Sequence, residues 1–183
     1  MSLALNSPAL WYATRATGLV TLLLLTASML LGITTAGRFA SEKWPRFLTV
    51  GLHRNLTLLV LIFLALHVGT TVVDTYTSIP ATAAVIPFVS PYKSPWLGLG
   101  AVAADLLIAV MVTSLLRNRL GFRAWRGLHW LAYACWPVAL IHGIGTGTDR
   151  RTLWLFAAAL GCVAAIAAAA TWRLATAARA GIR

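Results

Sequence analysis

Five apolar stretches, each long enough to cross the hydrocarbon core of a bilayer, take up most of this 183-residue chain: 11–35, 51–73, 97–116, 125–145 and 153–172. A core of about 30 Å needs roughly 20 helical residues, and in lipid only helices and closed barrels satisfy every backbone N–H and C=O. The sequence therefore predicts an all-α membrane helix bundle with five transmembrane helices, a single domain over residues 1–183. Composition agrees: 60% of the residues are hydrophobic and 10% charged, against about 25% charged in a soluble domain. The first stretch has no basic segment before it and is too long for the apolar core of a signal peptide, so it reads as a retained span.

The charge balance orients the chain. Fifteen Lys and Arg stand against four Asp and Glu. Eleven of the fifteen fall in the first connection (Arg38, Lys43, Arg46, Arg54), the third (Arg117, Arg119, Arg123, Arg126) and the tail (Arg173, Arg179, Arg183), leaving Arg15, Lys93, Arg150 and Arg151 for the other side. The positive-inside rule then predicts an external N-terminus and a cytoplasmic C-terminus, in the cell membrane. Scattered arginines between apolar spans are not the basic, aromatic-laced surface of a nucleic-acid binder, and no nucleic-acid partner is expected; the partner of these faces is membrane lipid. Cys135 and Cys162 both sit in apolar stretches and provide no disulfide framework. No Gly-rich phosphate loop follows a strand-like segment, and the longest hydrophilic stretch has no room for a nucleotide-binding domain. The loop between the second and third spans is broken by Pro80, Pro87, Pro91 and Pro95, and its apolar middle, 81–89, is expected at the interface.

All four histidines lie in two of the spans, His53 and His67 in the second and His129 and His142 in the fourth. Ionisable residues at membrane depth default to a functional reading. His53 and His67 are 14 residues apart, about 40° short of four whole turns and about 21 Å along the axis, so they share a face. His129 and His142 are 13 apart, about 19.5 Å in height but about 140° out of phase on an ideal helix. Pro137 lies between them, and the sequence predicts a distortion there. Two co-directional helices then bring His53 level with His129 near the cytoplasmic side, and His67 level with His142 near the external side. Facing neutral imidazoles inside a helix bundle suit six-coordinate haem iron. Taken singly, a membrane histidine is a hydrogen-bonded core residue; four at two matched heights point to two haems. Zinc is disfavoured because no four ligands cluster in sequence.

Residues 11–18 (Trp-Tyr-Ala-Thr-Arg-Ala-Thr-Gly), the Leu52-His53-Arg54-Asn55 run with His67, and residues 123–133 followed by His142-Gly143 resemble the ferric-reductase-like transmembrane domain family. That family includes ferric reductases, NADPH oxidases and the haem-bearing membrane partner of a periplasmic methionine sulfoxide reductase. The resemblance implies two b-type haems, the inner held by His53 and His129 and the outer by His67 and His142. It also implies transmembrane electron transfer, as in a cytochrome b, to ferric iron, oxygen or a partner reductase outside. The flavin and nicotinamide domains of the larger relatives are not expected here, so the donor is expected to be a separate cytoplasmic flavoprotein or a membrane quinol, and the chain an oxidoreductase component.

Around the ligands, Arg54 and Arg126, with Arg123 a turn away, offer guanidinium forks to inner haem propionates, although the topology rule alone also accounts for them. Arg15, inside the first span near its external end, needs an anion: Asp105, the one carboxylate in a span, or an outer propionate. Snorkelling to the interface is its third reading. Trp136, midway between His129 and His142, is a candidate for filling the space between the haems, or a core residue. Two other functions fit the composition. One is a haem-bearing membrane anchor of a larger complex. The other is a small transporter or channel, which Asp105 alone favours.

Overall fold

A computed structural model of the protein describes residues 8–37, 44–75, 77, 79–147 and 153–181. Arg38, Lys43, Arg150, Arg151 and Arg183, used above to orient the chain, lie outside the described residues. Those described form seven helices and one short 3-10 turn, with no strand: α1 Pro8–Ala36, α2 Arg46–Val73, the 3-10 turn Ala81–Ala84, α3 Ser94–Leu115, α4 Arg117–Leu120, α5 Phe122–His129, α6 Leu131–Thr146 and α7 Leu153–Gly181. Four of them, α1, α2, α3 and α7, are long and apolar enough to cross a membrane. Their apolar side chains are largely exposed in the isolated chain, with Leu153, Leu115 and Phe47 among the most open. A soluble fold would not leave such surface in water; a helix bundle in lipid presents it to acyl chains. The chain is a multi-pass membrane protein.

The fourth predicted span, 125–145, differs from expectation. It is divided at Trp130 into α5 and the 16-residue α6, which at 1.5 Å per residue is about 24 Å long, short of a full crossing. The predicted distortion is displaced too. Pro137 stays inside α6, but it has no N–H for the Tyr133 carbonyl. The chain tightens just before that residue, where Tyr133 N–H donates to Trp130 O at 3.0 Å and Trp130 N–H to Gly127 O at 3.2 Å. These three-residue bonds are tighter than the four-residue ladder of an α-helix. Ahead of the break, α5 is strongly amphipathic and mostly exposed, as an interfacial helix is. Gly121, at φ 77, makes the turn that separates it from α4.

The chain forms two compact units, Met1–Leu22 with Phe63–Thr148, and Leu23–Ile62 with Asp149–Arg183. In the first, small residues let α3 and α6 approach closely, as membrane helices do where Gly and Ala line the contact. Ala101, Ala103, Ala104 and Cys135 are buried, and the Cys135 thiol donates to the Ala103 carbonyl at 3.3 Å. The start of α3 is fastened to the end of α6 in two further ways. Lys93, in a left-handed conformation ahead of α3, donates from Nζ to the Thr146 carbonyl at 2.9 Å, a cation on a helix C-terminus. The Trp96 indole lies directly on Gly145, where a Cβ would collide with it. In the second unit, Ile33, Val60, Thr49 and Cys162 are buried. Trp44 Nε1–H donates to Thr49 Oγ1 at 3.0 Å, and the Trp172 ring covers Gly37.

Gly145→Val is expected to push the Trp96 indole off its seat and to destabilise the protein by roughly 1–3 kcal/mol, the usual effect of overpacking. Tryptophan-detected thermal unfolding in detergent checks it, and an unchanged midpoint contradicts this account of the α3–α6 contact.

Candidate functional site: imidazoles oriented by neighbouring helices

Each histidine sits half-buried on its helix, and each ring has its Nδ1 engaged by the helix beside it. His67 of α2 donates to the Thr14 carbonyl of α1 at 2.8 Å. His142 of α6 donates to the Trp96 carbonyl of α3 at 2.8 Å. His53 of α2 donates to the Ser28 carbonyl of α1 at 2.9 Å, with Ser28 Oγ 3.3 Å from the same nitrogen and 2.9 Å from Thr57 Oγ1. His129, at the end of α5, has Ser114 Oγ of α3 at 3.5 Å. A carbonyl oxygen can only accept, so in the first three rings Nδ1 carries the proton and Nε2 keeps a lone pair. Metal-ligating histidines are oriented in this way, with the second ring nitrogen bonded to a carbonyl.

Glycines make the approach possible. Four residues after each accepting carbonyl, on the same helix face, stands a residue without a side chain: Gly18 after Thr14, Gly32 after Ser28, Gly100 after Trp96. A Cβ on Gly18 would lie 2.9 Å from Cε1 of His67, and one on Gly100 2.5 Å from Cε1 of His142. At Gly32 the corresponding distance to His53 is 3.5 Å, ordinary contact. The imidazoles therefore lie close against bare backbone, with the Cε1–Nδ1 edge nearest, most tightly at His67 and His142. Thr14 and Gly18 lie in the 11–18 run that carries the family resemblance, but no contact of these glycines or carbonyls with a histidine is legible in the sequence. The available signal was periodic: Gly18 and Gly32 are separated by 14 residues, as are His53 and His67.

Within the first unit the structure brings His67 and His142 together. Their ring centroids are 6.3 Å apart and their planes 77° from parallel. With both Nδ1 atoms donating to carbonyls, both Nε2 atoms are acceptors, so the two rings cannot hydrogen-bond to each other; an electrophile shared between them satisfies both. An imidazole nitrogen ligates a transition metal at about 2 Å, which on either side of one iron puts two ring centroids about 6 Å apart. The residues fit a bis-histidine iron. Beside them the Thr14 hydroxyl is buried without a hydrogen-bond partner, a condition that costs about 1–3 kcal/mol unless a polar group meets it.

His53 belongs to the second unit and His129 to the first. The His129 ring lies 5.1 Å from that of Trp125, and Trp125 in turn lies under the Arg117 guanidinium at 4.9 Å. Arg15 is half-buried, with its guanidinium 4.3 Å over the Trp11 ring, and Asp105 is half-buried on α3. Arg54 is exposed and, with Arg46, Phe47, Val50 and Gly51, lines a shallow open hollow on α2. Arg123 and Arg126 are exposed on α5. Trp136 is buried in α6. Among the described residues, no three His, Cys, Asp or Glu side chains converge as a metal cluster.

No curated protein and no solved structure matches the chain. A family model does, over residues 17–140, the ferric reductase like transmembrane component. The match runs from Thr17, inside α1, through most of α6, with His53, His67 and His129, and stops two residues before His142. It supports a membrane electron-transfer role, in a family whose transmembrane domains commonly bind haem. By that match, covering well over half of its length, the chain belongs to the ferric reductase like transmembrane component family.

Proposed function

We propose that this protein carries electrons across a membrane through two b-type haems, one ligated by His67 and His142, and that His53 and His129 each supply a ligand to iron at the other depth. One observation carries the reading: two imidazoles, each with its Nδ1 proton committed to a helix carbonyl, stand 6.3 Å apart with both Nε2 lone pairs left for a metal. Iron porphyrin bound there supplies a reversible one-electron couple. The protein's own contribution is mechanical and electrostatic. The carbonyls of Thr14 and Trp96 fix the ring tautomer and raise its donor strength. Gly18 and Gly100 set the ring against the helix. The apolar spans supply a dry, low-dielectric sheath. Near the outer site, the unpartnered Thr14 hydroxyl and the neighbouring Arg15 are proposed to meet a haem propionate, a role proposed on the inner side for Arg54 and Arg126. Trp136, buried on the ligand-bearing helix, is proposed to couple the two depths.

The charge distribution supports an external N-terminus, a cytoplasmic C-terminus and residence in the cell membrane; termini on opposite sides need a fifth crossing beside α1, α2, α3 and α7, and α6, though shorter than the hydrocarbon core, is proposed to make it, with the amphipathic α5 at the cytoplasmic interface. Electrons would enter from a flavoprotein or quinol and leave to an external acceptor or partner reductase.

Purified chain is expected to show a reduced-minus-oxidised b-type spectrum with two haems, falling to one in His67→Ala and in His142→Ala. A haem-free native protein, produced with adequate haem supply, contradicts the proposal. The glycine contacts make a graded prediction. Gly18→Ala and Gly100→Ala drive a methyl group into the ligand ring and should lower haem retention several-fold, whereas Gly32→Ala, at ordinary contact distance, should retain both haems. Equal retention in all three variants, by pyridine haemochrome assay, contradicts the close-contact account.

A further inference from the structure

The helices that hold the four imidazoles repeat themselves, and the repeat breaks once. On α1 the pair of accepting carbonyl and glycine, Thr14 and Gly18, recurs 14 residues later as Ser28 and Gly32. On α3 the pair is Trp96 and Gly100, and 14 residues later stand Val110 and Ser114. Serine replaces glycine at the fourth position, facing His129. Its hydroxyl donates to the Val110 carbonyl at 2.7 Å, the group that by the repeat is the ring's acceptor. The same oxygen accepts Nδ1–H of His129 at 3.5 Å and Nε1–H of Trp125 at 3.3 Å. One donor and two acceptor sites exhaust what a hydroxyl can do. At His129, then, a serine stands between the imidazole and the carbonyl, with a bond longer than the 2.8–2.9 Å of the other three.

We propose that Ser114 is a positioning residue that sets the donor strength of His129, and through it the reduction potential of the one haem that His129 ligates. A histidine whose Nδ1–H is strongly bonded is the more basic ligand and favours ferric iron; a weakly bonded one leaves the potential higher. Ser114, a shared and distant acceptor, makes this site the high-potential variant of an arrangement that the other three histidines have in its strong form. The inference rests on the haem reading above.

The test is spectrally resolved redox titration of the purified full-length chain with Ser114→Gly, Ser114→Ala and Ser114→Thr. Glycine removes the intervening hydroxyl and Cβ, so the ring can reach the Val110 carbonyl: one haem's midpoint should fall while the other stays. Alanine removes the acceptor but keeps the Cβ, so the same midpoint should rise. Threonine keeps the hydroxyl and should restore the native value. A merely structural serine would move haem content or stability without this opposite pair of shifts. If Ser114→Gly loses its haem, the rise in Ser114→Ala and its absence in Ser114→Thr decide the matter. Haem-replete Gly and Ala variants with unmoved midpoints overturn the role of Ser114 alone, leaving the haem reading standing. A haem-free native chain overturns both.

Discussion

Everything at the candidate site depends on one interaction, the hydrogen bond from an imidazole Nδ1–H to a main-chain carbonyl of the next helix. Helical carbonyls are already engaged by their own ladder, so such an oxygen has only its second lone pair to offer, and it points along the helix surface where a side chain would normally shield it. Removing that side chain one turn further on exposes it. Gly18, Gly32 and Gly100 each do this, and the bond that follows decides three things together: ring tautomer, ring orientation and ligand strength. A neutral imidazole with a fixed lone pair is what the low-dielectric interior tolerates, since a charged one would be penalised by desolvation.

The rest of the first unit reads as support for that bond. The Trp96 carbonyl is useful only if α3 is held in register with α6. Lys93 on the Thr146 carbonyl, Trp96 on Gly145 and the Cys135 thiol on the Ala103 carbonyl fasten the two helices near, beyond and below His142. The residues in this contact are small because membrane helices associate through close approach rather than through hydrophobic burial. The same choice that packs the helices also bares the backbone for the histidines.

Much of this was legible in the sequence, for identifiable reasons. Apolar length fixes the spans because lipid admits no unpaired backbone, and α1, α2, α3 and α7 follow. The histidine pair His67 and His142 could be read because 14- and 13-residue separations translate directly into height. The division at Trp130 could not. Pro137 announces a missing N–H, but where the chain absorbs the loss depends on which neighbouring turn tightens, and here that is Gly127 to Tyr133. Nor could the acceptors be read, because a carbonyl has no letter in a sequence. Only the glycines beside them do, and among fourteen glycines their meaning depends on which helix lies opposite. Trp125 and Ser114 around His129 were hidden for the same reason: both look like ordinary interface and helix residues until α3 and α5 are placed side by side.

The central claim, that histidine nitrogens bind iron at this site, is tested most directly by pulsed electron paramagnetic resonance on oxidised native protein labelled with nitrogen-15 histidine. The account predicts low-spin ferric haem with two strongly coupled axial histidine nitrogens, and one strongly anisotropic signal from the near-perpendicular rings of His67 and His142. Iron without histidine coupling, or with a single axial histidine, would contradict it.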